Sequence, residues 1–244
     1  MMGSDMNDGV LFQVRTRRRA WLAHCTALIA AATLAAAAPA SAAGPSNAAG
    51  PSHAEGPGRG KLVLVVGDSL SAEYGLKRGS GWVALLVARL QQKKLQATVV
   101  NASISGDTTS GGRSRLPALL KLHRPDVVVI ELGGNDALRG LPLAMTRANL
   151  DEMARAARAS GAKVLVVGMQ VPPNYGRQYG ADFAGLFASV AKAQGAGLVP
   201  FLLKGVADVP QAEALFQADR IHPREAAHPV MLDNVWAVLG PMLG

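Results

Sequence analysis

The stretch that decides the fold is LVLVVGDSLSAEYG, which runs from Leu62 to Gly75. It begins with an unbroken run of aliphatic residues, which is typical of a strand covered on both faces in a parallel sheet. Gly, Asp and Ser follow directly, at the carboxyl edge where open α/β sheets bind their ligands. Ser69 is therefore either a turn residue that caps a helix or a nucleophile, and the rest of the chain has to decide between the two.

Four later aliphatic runs resemble the first, and helical patterns separate them. The runs are ATVVN at 97–101, DVVVIEL at 126–132, AKVLVVGM at 162–169 and GLVPFLL at 197–203. Apolar residues at helical spacing lie within 82–90, 116–120 and 143–157, with Pro117 expected to open the second helix and Gly161 to end the third. Gly111 and Gly112 are expected to lie in a flexible loop. Alternating strands and helices predict one α/β domain over residues 61–244, a three-layer α/β/α sandwich with a central, mostly parallel five-stranded sheet.

The amino-terminal segment has the three parts of a secretory signal peptide. Arginines at 15 and 17–19 precede the apolar stretch AWLAHCTALIAAATLAAAA, and Ala40-Ser41-Ala42 supplies a small-residue cleavage site. We therefore predict a signal peptide over residues 1–42 and export to the periplasm or the medium. The alternative, a transmembrane anchor, is less favoured because the apolar stretch is short and rich in alanine. Residues 43–60, rich in Gly, Pro, Ala and Ser, are predicted to be a flexible linker.

Composition excludes several kinds of chemistry and favours certain partners. The single cysteine, Cys25, lies in the predicted signal peptide, so the mature chain is expected to use no disulfide, zinc–thiolate site or thiol nucleophile. The formal net charge of +8 favours anionic partners such as phospholipid head groups, and peripheral contact with membrane lipids is expected. The basic residues are scattered and show no pattern of interleaved aromatic residues, so no nucleic-acid partner is expected.

Three polar segments further along the chain could complete a site around Ser69. Gly106 lies in a polar loop after the second strand, where a glycine lets a backbone N–H approach a ligand. Asn135 follows the third strand and could donate from its amide, although it could also be a turn residue. Its neighbour Asp136 is expected to hold the loop. Asp219 lies three residues before His222, a spacing that lets a carboxylate orient an imidazole base.

The choice of histidine remains open from the residues alone. His228 has Glu225 three residues before it, so this pair repeats the spacing of Asp219 and His222. Position in the chain does not distinguish the two pairs.

Four blocks, in this order, resemble those of the GDSL, or SGNH, hydrolase superfamily. They are Gly67-Asp68-Ser69-Leu70, Gly106 within NASISGDTT, Gly133-Gly134-Asn135-Asp136 and Asp219-x-x-His222-Pro223. The longer segments NASISGDTTSGGRSRLPALL, ELGGNDALRGLP and PPNYGRQY are similar to the bacterial periplasmic thioesterase I/protease I/lysophospholipase group, often called arylesterases. The resemblance covers the chain from about Leu62 to its end and implies the flavodoxin-like SGNH hydrolase fold.

The resemblance implies a role for each matching position. Ser69 matches the nucleophile, His222 the base and Asp219 the residue that orients the base. The backbone N–H groups of Ser69 and Gly106 and the side-chain amide of Asn135 match the oxyanion hole. The family uses no metal or organic cofactor, so none is expected here.

Other positions differ from the family pattern or lie around the site. His228 falls where the motif requires no histidine, and Glu73 stands where close relatives often have Gly, which is expected to alter the rim of the pocket. The resemblance also implies a shallow groove on the loops at 136–142 and 172–179. Its apolar surface for an acyl or aryl group is expected to come from Leu138, Leu141, Pro172 and Tyr175.

The resulting prediction is a secreted, monomeric serine ester hydrolase that works through an acyl-serine intermediate. Its expected substrates are carboxylic esters or thioesters, with aryl or short-to-medium acyl groups, and lysophospholipids. One alternative is a carbohydrate O-acetyl esterase of the same superfamily. The other is a non-catalytic secreted module that binds lipid or glycan, which would predict an incomplete catalytic set.

Overall fold

The computed structural model describes residues 60–244, which form the predicted three-layer α/β/α sandwich. The strands are β1 (Lys61–Gly67), β2 (Ala97–Asn101), β3 (Val127–Glu131), β4 (Lys163–Val167) and β5 (Gly197–Val199). The helices are α1 (Trp82–Gln92), α2 (Thr109–His123), α3 (Gly134–Leu138), α4 (Leu143–Ala159), α5 (Arg177–Gln194), α6 (Ala212–Leu215) and α7 (His228–Met242). The predicted signal peptide and, apart from Gly60, the predicted linker lie outside the described residues.

The five strands form one sheet in the order β2-β1-β3-β4-β5, and every neighbouring pair is parallel. Helices α1 and α7 pack together on one side, while α2, α4 and α5 form the other layer. The middle residues of β1 and β3, Val63 to Val66 and Val127 to Ile130, are at most 1% exposed. Coverage on both faces explains why these strands appear in the sequence as unbroken aliphatic runs.

The strand order places a crevice beside β1. The chain leaves β1 for β2 on one side and later returns to place β3 on the other side. In open parallel sheets, ligands bind outside the carboxyl ends of the strands at such a reversal of order. Ser69 follows β1 and Asn135 follows β3, so both predicted site residues lie at this crevice.

Two expectations about α2 are wrong. The helix begins at Thr109, after Thr108 caps it by accepting a hydrogen bond from the N–H of Gly111, so Gly111 and Gly112 are helical. Gly112 is buried, and a Cβ there would lie 2.2 Å from Cδ1 of Leu132, which shows that the missing side chain serves close packing. Pro117 lies in the middle of the helix, where its missing N–H removes one helical hydrogen bond.

Two glycines give a test of this packing. Gly168 follows β4, and a Cβ there would lie 2.5 Å from the carbonyl oxygen of Pro200, a backbone atom that cannot rotate away. We expect Gly168→Ala to lower the free energy of unfolding by about 1–3 kcal/mol. The control is Gly185→Ala, because Gly185 is exposed in α5 with open space around it and should gain up to about 1 kcal/mol in helix propensity. Urea unfolding followed by circular dichroism measures both, and equal effects would contradict this packing.

Candidate active site

A tight turn directly after β1 presents the first predicted site residue. The carbonyl of Asp68 accepts hydrogen bonds from the N–H groups of Ser71 at 3.2 Å and Ala72 at 2.9 Å. Oδ1 of the same residue accepts from the N–H of Leu70 at 3.0 Å. Because Asp68 uses both its backbone and its side chain, the turn is held from two sides. It leaves Ser69 partly exposed at the edge of the sheet.

The structure brings the three residues predicted to be catalytic into one hydrogen-bonded chain. Oγ of Ser69 lies 2.8 Å from Nε2 of His222, and Nδ1 of His222 lies 2.7 Å from Oδ2 of Asp219. Oδ1 of Asp219 also accepts from the backbone N–H groups of Ile221 and His222, at 2.9 and 3.0 Å. Arg220 adopts a left-handed conformation with φ of 57°, which closes this short turn around the carboxylate.

These contacts determine the charge of Asp219 and the tautomer of His222. Partial burial opposes ionisation of Asp219, but hydrogen bonds from the backbone and ring of His222 and from the N–H of Ile221 outweigh it and lower the pKa of Asp219 to about 2. An ionised carboxylate can only accept, so the proton of the neutral imidazole is on Nδ1. Nε2 is then the acceptor for the hydroxyl of Ser69, which is the arrangement that a general base requires.

Two of the three predicted oxyanion donors are free, and the third is engaged. Within residues 60–244, the backbone N–H groups of Ser69 and Gly106 donate to no protein acceptor. Gly106 has φ of 78°, a conformation that favours glycine. Nδ2 of Asn135, however, donates to Oδ2 of Asp68 at 3.0 Å and to the carbonyl of Asp107 at 2.9 Å. Both amide hydrogens of Asn135 are therefore used in this state.

Two arginines that the sequence did not single out hold the loop that carries Gly106. Nη2 of Arg139 donates to the carbonyl oxygen of Gly106 at 2.7 Å. Arg115 forms an ion pair with Asp107 at 2.8 Å and also donates to the carbonyl of Ala102. Arg115 lies on α2, directly after the loop, whereas Arg139 comes from the segment after α3, 33 residues from Gly106.

A pair of buried acids lies beneath the turn. Oε2 of Glu131 accepts from the hydroxyl of Ser71 at 2.6 Å and from the N–H of Asp68 at 3.3 Å, while the indole of Trp82 donates to the same hydroxyl. Burial, and then the charge of Asp68, raise the pKa of Glu131 well above its usual value. Burial likewise raises the pKa of Asp68 to about 6. The one signal in the sequence was a carboxylate inside the aliphatic run of β3.

Asp136 holds the loop after β3, as expected. Its Oδ2 accepts from the backbone N–H of Thr109 at 2.9 Å, and its Oδ1 accepts from the Thr109 hydroxyl at 2.5 Å and the Thr146 hydroxyl at 3.2 Å. The carboxylate is fully buried. It therefore joins the start of α2 and the helix α4 to the segment that carries Asn135.

The second histidine has a different place in the fold. His228 is 2% exposed, and its Nδ1 accepts a hydrogen bond from the backbone N–H of Trp82 at 3.0 Å. Burial lowers the pKa of His228, which favours the neutral ring that this acceptor role requires. His228 thus satisfies an N–H at the start of α1, a group that has no partner within its own helix.

Glu73, which departs from the family pattern, folds the loop beyond the turn. It has a left-handed backbone with φ of 60°, a conformation that favours glycine. Its carboxylate accepts from the N–H of Gly81 at 2.7 Å and from the N–H of Gly79 at 3.0 and 3.1 Å. These bonds close the segment 73–81 into a compact loop that leads to α1.

The residues predicted to bind substrate lie on the loops after β3 and β4. Leu138 ends α3 and is 50% exposed, and Leu141 follows it on the same loop. Pro172 precedes a short 3-10 turn, Pro173–Tyr175, and the ring of Tyr175 stacks on Tyr179 with centroids 5.8 Å apart. All four lie beyond the carboxyl ends of the strands, as Ser69 does, and they remain predicted substrate contacts.

The described part of the chain has neither a cluster of metal ligands nor a membrane-spanning helix. Within residues 60–244, no group of three or more His, Cys, Asp or Glu side chains could hold a metal ion. In the same range, no helix is long and apolar enough to cross a membrane.

Comparison with known proteins identifies the class to which this fold and site belong. The model of the GDSL-like Lipase/Acylhydrolase family matches residues 65–230. The chain is 54% identical over 181 residues to the esterase TesA of Pseudomonas aeruginosa, covering 74% of this chain and 89% of that one. It is 42% identical to an arylesterase of Vibrio mimicus, covering 71% and 85%, and 41% identical to thioesterase 1/protease 1/lysophospholipase L1 of Escherichia coli K12, covering 74% and 84%. The chain belongs to the GDSL hydrolase family and is an ester hydrolase.

Solved structures agree with this assignment. A crystal structure of TesA, 53% identical, has a TM-score of 0.72 and covers 75% of this chain and 99% of its own. The esterase EstA from Pseudoalteromonas sp., solved in a form inhibited by monoethylphosphonate, is 35% identical with a TM-score of 0.70, covering 75% and 98%. The predicted SGNH hydrolase fold is confirmed.

The buried acids make stability depend on pH in a specific direction. The folded-state pKa of Asp68 lies above its unfolded value of 3.8, so its contribution is complete at low pH and is lost as pH rises from about 4 to 6. Asp68→Asn removes this dependence. We expect the stability of the wild type relative to Asp68→Asn to be lower at pH 7 than at pH 4, by roughly 2 kcal/mol.

Urea unfolding of both proteins at the two pH values measures this difference. Asp219 titrates at lower pH and is present in both proteins, so its effect cancels. Glu131 loses the repulsion from the Asp68 carboxylate in the variant, and this changes the difference in the same direction. A stability difference that is the same at pH 4 and pH 7 would contradict the assignment.

Proposed function

We propose that this chain is an exported serine esterase that transfers the acyl group of its substrate to Ser69 and then to water. The observation that carries the proposal is the hydrogen-bonded chain from Oγ of Ser69 through His222 to Asp219, with 2.8 and 2.7 Å between the paired atoms. In this scheme Ser69 is the nucleophile, His222 is the base and then the acid, and Asp219 orients the imidazole.

Acylation begins with a proton transfer from Ser69 to His222, which is possible because Nε2 of the neutral imidazole carries no proton. As Oγ of Ser69 attacks the ester carbonyl, its proton passes to Nε2 of His222, and the imidazole becomes an imidazolium. Asp219 remains ionised beside it, because its lowered pKa keeps the carboxylate charged. The proton on Nε2 then passes to the oxygen or sulfur of the leaving group, and an acyl-Ser69 intermediate remains.

The tetrahedral intermediate requires donors for its oxyanion. The free N–H groups of Ser69 and Gly106 supply two. Asn135 supplies the third by giving up one of its two present acceptors. We propose that it leaves the carbonyl of Asp107, since its bond to Asp68 ties the amide to the residue next to Ser69. A donor of this kind is worth about 2.7–4 kcal/mol in the transition state.

Deacylation repeats the steps with water as the nucleophile. His222 takes a proton from the water as it attacks the acyl carbonyl, and the same three donors hold the second oxyanion. The bond between the acyl carbon and Oγ of Ser69 then breaks, and His222 returns the proton to the serine. Each turnover consumes one water and needs no further co-reactant.

The proposed substrates are aryl or short-to-medium acyl esters, thioesters and lysophospholipids. The exposed side chain of Leu138, with Leu141, Pro172 and Tyr175, supplies apolar surface beyond the strand ends where an acyl or aryl group can rest. The names of the relatives, an arylesterase and a thioesterase/lysophospholipase, support this range. The apolar and small-residue pattern of residues 1–42 supports export, and export separates the enzyme from cytoplasmic acyl-CoA. We propose that it acts as a monomer.

The substrate class can be tested with purified protein that lacks residues 1–42. We expect hydrolysis of p-nitrophenyl esters of graded acyl length and of a lysophospholipid to exceed acetate release from acetylated xylan, because the proposed groove is apolar. Ser69→Ala is the control and should be inactive on every substrate. Preferential release of acetate from xylan would instead favour a carbohydrate O-acetyl esterase.

The two histidines provide a second test. His222→Ala should lower kcat/KM by at least roughly 10³-fold, because it removes the base and the acid together. His228→Ala should keep most of the activity per folded molecule but lower the free energy of unfolding by about 1–3 kcal/mol, since it leaves the buried N–H of Trp82 without a partner. Kinetics and urea unfolding of both variants measure this, and the opposite pattern would overturn the assignment of the base.

A further inference from the structure

An aromatic side chain that the proposed mechanism does not use lies against the imidazole of His222. The ring centroids of Tyr74 and His222 are 4.4 Å apart, with an angle of 39° between the ring planes. Tyr74 remains 50% exposed, so burial of its own surface does not explain its position. Its contact with the imidazole is the feature that requires an explanation.

The backbone of Tyr74 is held from both segments that form the site. Its N–H donates to the carbonyl of Ser69 at 3.3 Å, which ties it to the turn after β1. Its carbonyl accepts from Nε2 of Gln217 at 2.9 Å, and the same Nε2 donates to the carbonyl of Pro223 at 3.2 Å. The backbone N–H of Gln217 donates to the carbonyl of His222 at 2.8 Å. Gln217 therefore joins the segment of Tyr74 to the segment of His222.

The two ring nitrogens of His222 are held along the ring edge, by Ser69 and Asp219. Those bonds leave the faces of the imidazole unsupported against tilting. The Tyr74 ring packs beside the imidazole, with 4.4 Å between the ring centroids and a tilt of 39° between the ring planes. An aromatic face also attracts a cation whose centre lies within about 6 Å of the ring centroid. The imidazolium that forms in each proton transfer lies within this range.

We propose that Tyr74 is a positioning residue for His222: its ring supports one face of the imidazole and stabilises the imidazolium, and Gln217 holds Tyr74 in place. This inference rests on the proposed function, because it assumes that His222 is the base. The contact acts on the charged form of the ring, so it contributes mainly during proton transfer.

Other groups near His222 also influence the stability of its imidazolium, and their influence has to be distinguished from that of Tyr74. The carboxylate of Asp219 contacts Nδ1, and the buried carboxylate of Asp68 interacts electrostatically with the same imidazole. Ser69 contacts Nε2 as a neutral hydroxyl. Substitutions of Tyr74 leave all three groups in place, so a change in the pH profile reports on the aromatic ring.

The test compares Tyr74→Leu with Tyr74→Phe. Leucine keeps apolar bulk but has no aromatic face, whereas phenylalanine keeps the face and loses only the hydroxyl. We expect Tyr74→Leu to lower kcat about 2–5-fold with little change in KM, as an exposed contact between a cation and an aromatic ring would. The acid limb of its kcat/KM profile should move to lower pH by about half a unit, because the imidazolium is less stabilised. Tyr74→Phe should match the wild type in both respects.

A second readout does not depend on activity. The ring current of Tyr74 should shift the NMR signals of the His222 ring protons, and this shift should persist in Tyr74→Phe and disappear in Tyr74→Leu. Gln217→Met, which keeps the length of the side chain and adds no charge but cannot donate to the two carbonyls, should reduce both kcat and the ring-current shift.

Unchanged kcat, pH profile and ring-proton shifts in Tyr74→Leu would overturn the proposal, as would equal losses in Tyr74→Phe and Tyr74→Leu. The proposed function has its own test: if His222→Ala is inactive while Tyr74→Leu is unchanged, only the role of Tyr74 fails. If His222→Ala stays active, the function fails with it.

Discussion

One hydrogen bond, 2.8 Å long between Oγ of Ser69 and Nε2 of His222, joins residues that lie 153 positions apart in the chain. Two separate segments supply the partners: the hydroxyl lies at the end of β1, and the imidazole comes from the loop before α7. The parallel sheet fixes the first position, and the turn around Asp219 fixes the second. Gln217 then connects the two segments directly. Asp219, bonded to Nδ1 of His222, holds the imidazole with its Nε2 at the hydroxyl of Ser69.

The carboxylates around this hydrogen bond differ in burial: one is exposed and two are buried. Asp219 is ionised at neutral pH and lies at the surface, where it can compensate the positive imidazolium. Asp68 and Glu131 are buried, and burial raises the pKa of both. Asp68 nevertheless accepts a hydrogen bond from Asn135. In the proposed mechanism, this buried acid orients an oxyanion donor, while the exposed Asp219 stabilises the imidazolium. Different environments thus give carboxylates in one site different roles.

The sequence predicted the fold well because the three central strands, β1, β3 and β4, are largely buried on both faces. Their aliphatic runs need no tertiary information to be recognised, and the polar residues after β1 and β3 mark the active edge of the sheet. Helix α2 was harder, since Gly112 is required by contact with Leu132, a residue distant in sequence, and Pro117 is tolerated within the helix. Local propensity contains neither fact.

In the site, as in the fold, the local sequence predicted some features, and others depend on contacts between distant residues. Spacing alone could not separate His222 from His228, because each has an acid three residues before it. The fold separates them by distance, placing one beside Ser69 and the other at the start of α1. The contact of Tyr74 with His222 likewise joins opposite ends of the chain. Such pairings depend on tertiary structure: resemblance to a family singled out His222, and nothing in the sequence indicated its contact with Tyr74.

The most direct test of the central claim is a crystal structure of the enzyme after reaction with an alkyl fluorophosphonate. We expect a covalent bond from phosphorus to Oγ of Ser69, with the phosphoryl oxygen within hydrogen-bond distance of the N–H groups of Ser69 and Gly106 and of the Asn135 amide. We also expect that the amide has left the carbonyl of Asp107. An adduct on another residue, or a phosphoryl oxygen that faces away from these donors, would contradict the central claim.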